Sequence, residues 1–226
     1  MTETAADTTR TGDDVPTALE AAVTTTDHLR IGRAWIASGV LFLVASLVAG
    51  LLVSLERMDL SGMAVFGDAD SLFRFWSAYR VGIVLLAVVP VVIGLATAVA
   101  PLQVGASSVV FPRAAAFGFW VWALGAAITV AGFLIDGGLG TPGGTSRTDA
   151  VALTLLGLLM VIGGICCATV CILTTIVVGR TAGMTLSRVP LFVWSVLVAG
   201  SIWLVTLPVL AANAVLVYVD LAGRSA

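Results

Sequence analysis

The run AVALTLLGLLMVIGGICCATVCILTTIVV, residues 150–178, decides the fold of this chain. It carries no carboxylate, amine, guanidinium or imidazole over its whole length. As an α-helix rising 1.5 Å per residue it reaches about 44 Å, more than the roughly 30 Å of hydrocarbon in a bilayer. Four further runs, 34–55, 81–100, 114–135 and 191–219, are comparably apolar. Each has the about 20 residues a crossing needs. Helices satisfy their own backbone within lipid, and the short alternating segments of a membrane barrel are missing. The expectation is an all-α polytopic membrane protein with five transmembrane helices. Pro90 and Pro208 interrupt the second and fifth runs and predict bends there, with neighbouring helices covering the freed carbonyls.

Composition agrees. Of 226 residues, 59% are hydrophobic and 11% charged, against about 45–50% and 25% in soluble domains. The net charge of -2 indicates no nucleic-acid partner. Every basic residue is Arg, and His28 is the single histidine. Cys166, Cys167 and Cys171 lie inside one apolar run, so no disulfide framework is indicated.

Three parts follow. Residues 1–26 read as a disordered polar tail, 27–220 as the transmembrane domain and 221–226 as a short C-terminal tail. The tail does not resemble a cleaved signal peptide, so the first run is expected to stay in the membrane. Residues 54–78, 101–113, 136–149 and 179–190 read as connections. Phe73, Phe75, Trp76 and Tyr79 suggest an interfacial helix or an aromatic belt at the end of the first. The placement of Arg30, Arg33, Arg180 and Arg188 favours a cytoplasmic N-terminus and an outside C-terminus in the cell membrane.

Three segments resemble subunit I of the haem-copper oxidases, the cytochrome c oxidase family. The first is TDHLRIGRAWIASGVLFLVASLVAGLLVSLERMDL, with Asp27, His28, Ile31, Gly32 and Arg57 in the expected neighbourhood and Glu56 a departure at its own position. The second is PVVIGLATAVAPLQVGASSVVFPRAAAFGFW, matched at Pro101, Leu102, Gly105, Ala106, Phe111, Pro112 and Arg113. The third is GMTLSRVPLFVWSVLVAGSIWLVTLPVLAA, matched at Gly183, Met184, Leu186, Arg188, Pro190, Leu191, Phe192, Trp194, Pro208 and Leu210. The resemblance covers the first five of the family's twelve helices. It implies the fold and a setting in an electron-transport complex of the respiratory chain. It also implies a low-spin haem ligand in the second helix, where the nearest position here is Tyr79. The family's histidine in its MTLHR run is Ser187 here.

Each candidate site has an ordinary reading beside the functional one. Tyr79 could bind haem iron only as tyrosinate, with Arg80 beside it favouring that charge; the ordinary reading is an interfacial aromatic. His28 reads as a cap, anchor or partner contact near the membrane surface. Cys167 and Cys171 share a helical face and have the softness for Cu(I), but there is no CxxC and no assisting His or Met cluster, and small buried packing residues are the ordinary reading. Gly163 and Gly164, with Gly157, suggest close helix approach. Asn213 is the clearest polar candidate within the spans, with Thr129, Thr154, Thr169, Thr174 and Ser201 among others, all readable as interhelical or local hydrogen bonds. No Asp, Glu, Lys or Arg lies inside a predicted span, so no proton relay is indicated. The loop glycines Gly137, Gly138, Gly140, Gly143 and Gly144 lack the context of a phosphate site. Phe117, Phe119, Trp120 and Trp122 read as core or anchoring aromatics. Pro90, Pro112, Arg113, Gly163, Gly164, Arg188, Pro190, Trp194, Pro208 and Asn213 are the expected structural or interface residues.

These readings give a non-catalytic, oxidase-like subunit that packs with and stabilises a larger membrane redox complex. No catalytic residue and no cofactor is expected on this chain alone; haem or copper would sit in partner chains. The expected partners are the bilayer and other integral membrane subunits. One alternative is the N-terminal half of a split oxidase subunit I; another is a lipid- or quinone-binding membrane protein.

Overall fold

The computed structural model describes residues 25–58, 66, 69–135, 137–139 and 145–224. The tail expected over 1–26 therefore lies almost wholly outside the described residues, as do Asp59, Asp68, Gly140, Gly143 and Gly144. Helices α1 (His28–Arg57), α2 (Ala69–Val81), α3 (Val89–Val104), α4 (Pro112–Leu134), α5 (Thr145–Val178) and α6 (Leu191–Arg224) account for the fold. A π-helical segment, Gly82–Val88, joins α2 to α3. Among the described residues, five helical stretches are long and apolar enough to cross a membrane: His28–Arg57, Asp70–Val104, Pro112–Leu134, Thr148–Val178 and Leu191–Gly223. This is an all-helical, multi-pass membrane protein.

The termini of the helices follow local chemistry. The Asp27 carboxylate accepts the Leu29 N–H at 2.9 Å and caps α1. The cap is Asp27, not His28; His28 is the first helical residue and is buried. Gly105 ends α3 at φ 73°, a left-handed geometry suited to glycine. Pro112 opens α4, where its missing N–H costs nothing. Pro190 directly precedes α6, and the Trp194 indole donates to the Leu186 carbonyl at 2.9 Å, tying the first turn of α6 to a short 3-10 turn, Leu186–Arg188.

The helix that carries the second expected span begins before it, near Asp70, and includes the Phe73–Tyr79 stretch read as an interfacial helix or aromatic belt. Its charge is managed by contact: the Arg80 guanidinium lies 4.7 Å over the Trp76 ring, a cation–π arrangement. The connection expected over 136–149 ends by Thr145, where α5 begins.

Glycine rows at seven-residue spacing weld the bundle. Gly118, Gly125 and Gly132 on α4 face Gly164, Gly157 and Thr154 on α5. A Cβ on Gly125 would stand 2.8 Å from the Gly157 carbonyl oxygen, and one on Gly164 would stand 2.6 Å from that of Gly118. The backbones touch because no side chain intervenes. Gly32 and Gly94 do the same between α1 and α3, each opposite the other's carbonyl. Such close approach is how dispersion replaces the hydrophobic effect as the associating force in lipid. Trp35 and Trp122, both almost fully buried, fill the centre at a ring separation of 4.8 Å, with Phe42 and Phe119 against them.

Candidate functional site

A concavity lies between α1, α2, the π segment and α4. It measures about 320 Å³, within the range of small-ligand sites. Its walls are mainly apolar, with Phe42, Phe75, Leu86 and Phe133 among them. Arg74, Ser46, Tyr79 and Thr129 are its polar members. The Thr129 hydroxyl donates to the Gly125 carbonyl at 2.8 Å, and Arg74 Nη2 donates to Ser71 Oγ at 3.0 Å. Ser46 is 94% buried by its 6% exposure and lines the cavity.

Tyr79 stands at the edge of this space. Its ring packs on Gly50 of α1, where an added Cβ would approach Cε2 to 2.8 Å. The ring also bounds a second recess formed with Leu47, Ser54, Arg57 and Trp76. Arg80, expected to favour a tyrosinate, instead lies over Trp76. Tyr79 is thus an aromatic packed across an interhelical gap.

The break at Pro90 is built from three elements. The Val89 N–H donates to the Val84 carbonyl, five residues back. Continued by one residue, that register points position 90 at the Leu85 carbonyl, and proline has no N–H to give. The Trp122 indole supplies it, donating to Leu85 O at 3.3 Å in a buried setting. The freed carbonyl is covered by a neighbouring helix, as the sequence suggests. Only tertiary structure identifies the donor.

The remaining candidates disperse. The Cys167 thiol donates to the Ala114 carbonyl at 3.4 Å, and Cys171 is buried. No group of three or more His, Cys, Asp or Glu suited to a metal ion occurs among the described residues. Thr154, Thr169, Thr174 and Ser201 each donate to the carbonyl four residues back. Thr154 also accepts the Gly138 N–H at 3.2 Å, which closes the turn after α4. Ser187 is exposed and shares a 3.0 Å hydrogen bond with Thr185. Arg113 and Arg188 are exposed at one end of the bundle. Gly164 is an intrachain contact, whereas a Cβ on Gly163 meets nothing within 4 Å. Pro208 and Asn213 face outward from α6. The expected aromatic group divides: Trp122 and Phe119 pack inward, while Phe117 and Trp120 are exposed. Sequence reading missed the cavity and the buried Ser46, because neither has a signature within one helix.

A family profile, Cytochrome C and Quinol oxidase polypeptide I, matches residues 30–225. Among curated relatives, a probable cytochrome c oxidase subunit 1-beta of Nocardia farcinica is 35% identical, covering 86% of this chain and 34% of the relative. Cytochrome c oxidase subunit 1 of Corynebacterium diphtheriae is also 35% identical, over 88% of this chain and 36% of the relative. A probable subunit 1-alpha of Streptomyces avermitilis is 32% identical, over 84% and 34%. The chain spans about a third of the length of these relatives. With nearly all of its helical domain matched, this chain belongs to the cytochrome c and quinol oxidase polypeptide I family.

Proposed function

We propose that the chain is a non-catalytic, oxidase-like membrane subunit that packs with and stabilises a larger membrane redox complex. The donor set carries this reading. The only imidazole is His28, at the start of α1, and the two positions that resemble the family's histidines hold Tyr79 and Ser187. Tyr79 is packed on Gly50 while its neighbour Arg80 lies over Trp76, and Ser187 bonds to Thr185. A neutral phenol and an alkyl hydroxyl are poor replacements for imidazole on haem iron. The residues present do not fit a haem held by this chain. The test is the purified full-length chain: no haem absorbance and no oxygen uptake are expected. Stoichiometric haem held by this polypeptide alone would overturn the reading.

A second reading is the N-terminal part of a split subunit I, with the remaining helices on another chain. Coverage of about a third of the relatives and the open faces of α1 and α6 favour it. Recovery of a histidine-rich membrane chain with oxidase activity in a mild-detergent pull-down would select it over the first. A third reading, a lipid or quinone binder, has the cavity at Ser46 and Tyr79 in its favour. A Ser46→Leu variant fills that cavity, and loss of a co-purifying quinone would support it. On any of these readings the chain resides in the cell membrane. Cysteine labelling of the termini tests the proposed orientation, N-terminus cytoplasmic and C-terminus outside.

A further inference from the structure

We propose that the acidic segment of residues 1–24 docks, through its carboxylates, on the arginine-bearing end of the bundle to which it is joined. Charge is partitioned sharply along the chain. Residues 1–24 hold five carboxylates, Glu3, Asp7, Asp13, Asp14 and Glu20, against one arginine, Arg10. The adjoining end of the bundle holds Arg30, Arg33, Arg113, Arg180 and Arg188 against one carboxylate, Asp27. The two imbalances are equal and opposite. The fold is what gathers these arginines. Gly32, early in α1, packs on Gly94 and Ala98 late in α3. The Thr181 N–H, just after α5, donates to the Val104 carbonyl at the end of α3, at 3.1 Å. The Val110 N–H, just before α4, donates to Thr175 Oγ1 at 3.0 Å. The starts of α1, α4 and α6 therefore lie together with the ends of α3 and α5.

The carboxylate already present does not balance this end. Asp27 caps α1 and pairs with Arg30 at 3.6 Å. Arg33, Arg113 and Arg188 are exposed and Arg180 is half-buried, and none of the four has an ion-pair partner among the described residues. The other described carboxylates, Glu56, Asp70, Asp149 and Asp220, lie toward the opposite end. The acidic segment is the occupant within reach. Asp14 precedes Thr25 by eleven residues, an extended span of about 36–40 Å. Neighbouring helices stand about 8–10 Å apart, so every one of these arginines lies within that span. Tethering at Thr25 also holds the carboxylates at an effective concentration on the order of millimolar. A block of one charge joined to a surface of the other is an interaction tail. Docked, it covers a basic surface that otherwise attracts anionic lipid headgroups. The inference rests on no redox role and holds for either orientation in the membrane.

The experiment measures phenylglyoxal modification of single arginines, by mass spectrometry, in the full-length chain in neutral detergent at low salt. The comparison is a variant carrying Glu3→Gln, Asp7→Asn, Asp13→Asn, Asp14→Asn and Glu20→Gln. Arg113 and Arg188 should react roughly 2- to 5-fold faster in the variant, the span of an exposed ion pair. Arg57, exposed at the opposite end, should react equally in both proteins. The difference should vanish near about 1 M salt, where the Debye length falls to about 3 Å. Equal rates at Arg113 and Arg188 in the two proteins would overturn the proposal, as would protection that survives that salt. Protection that fades on dilution would assign the contact to another copy instead. Repetition in phosphatidylcholine vesicles with and without phosphatidylglycerol separates the lipid source. Protection that requires phosphatidylglycerol, whether or not the five carboxylates are present, would make anionic lipid the occupant and overturn the docking.

Discussion

Gly163 and Gly164 are sequence neighbours with opposite surroundings, and they isolate what a glycine does here. A Cβ on Gly164 would stand 2.6 Å from both the Gly118 oxygen and the Trp122 nitrogen. Those are backbone atoms, which cannot rotate away. At Gly163 nothing lies within 4 Å. Gly164→Ala should therefore destabilise the α4–α5 pair by about 1–3 kcal/mol or more, the cost of overpacking. Gly163→Ala should be neutral or stabilise by up to about 1 kcal/mol through helix propensity. Unfolding of the two variants in mild detergent measures the difference. Equal behaviour would mean that the α4–α5 contact does not set stability. Small-residue packing was legible from Gly157, Gly163 and Gly164 in a single run. Which of the adjacent pair faces α4 was not, because that depends on the phase of a second helix. Asn213 was legible as a polar outlier, but its outward direction comes from the heptad row that α6 buries, Val193, Gly200, Leu207, Ala214 and Leu221.

At the scale of elements, the five apolar runs were legible because hydrocarbon demands long uncharged helices with internally satisfied backbones. The continuous helix leading into the second of them was not. Arg74 and Arg80 made residues 69–81 resemble a surface connection, yet the structure holds them in α2, with Arg80 over Trp76 and Arg74 bonded to Ser71. Local composition reports charge and is silent on the contacts that accommodate it. The same limit applies at Pro90, where the missing main-chain donor was legible and the Trp122 donor 32 residues away was not. Trp122→Phe removes the indole N–H from the Leu85 carbonyl and should cost about 1–3 kcal/mol, the range for an abandoned buried acceptor. Pro90→Ala restores a main-chain N–H aimed at that carbonyl in the local register. Trp122→Phe should then cost less in the Pro90→Ala background, with a coupling within about 0.5–3 kcal/mol. A double-mutant cycle of unfolding free energies measures it. Strict additivity would show that Trp122 acts by packing alone.

Across the whole molecule, cohesion is unevenly distributed. Helices α4 and α5 share backbone-to-backbone contact along the glycine rows, and α5 also supplies many of the central core residues. Only 11% of the most apolar window of α6 is buried, against 61% for α5. One fully buried heptad row, flanked by half-buried Phe192, Val196, Leu197, Trp203 and Ala211, and the Trp194–Leu186 bond hold α6 to the rest. Local opening follows the density of buried contacts, so α6 should be the first membrane helix to come free when detergent replaces lipid. Hydrogen exchange of the full-length chain, dilute enough to keep copies apart, should show α6 amides exchanging before those of α4 and α5. Leu207→Ala, which empties the middle of the row, should widen that gap by about 2–5 kcal/mol of local stability while leaving α5 protection unchanged. Simultaneous exchange of α5 and α6 in both proteins would mean that the five spans open as one cooperative unit, despite their unequal burial.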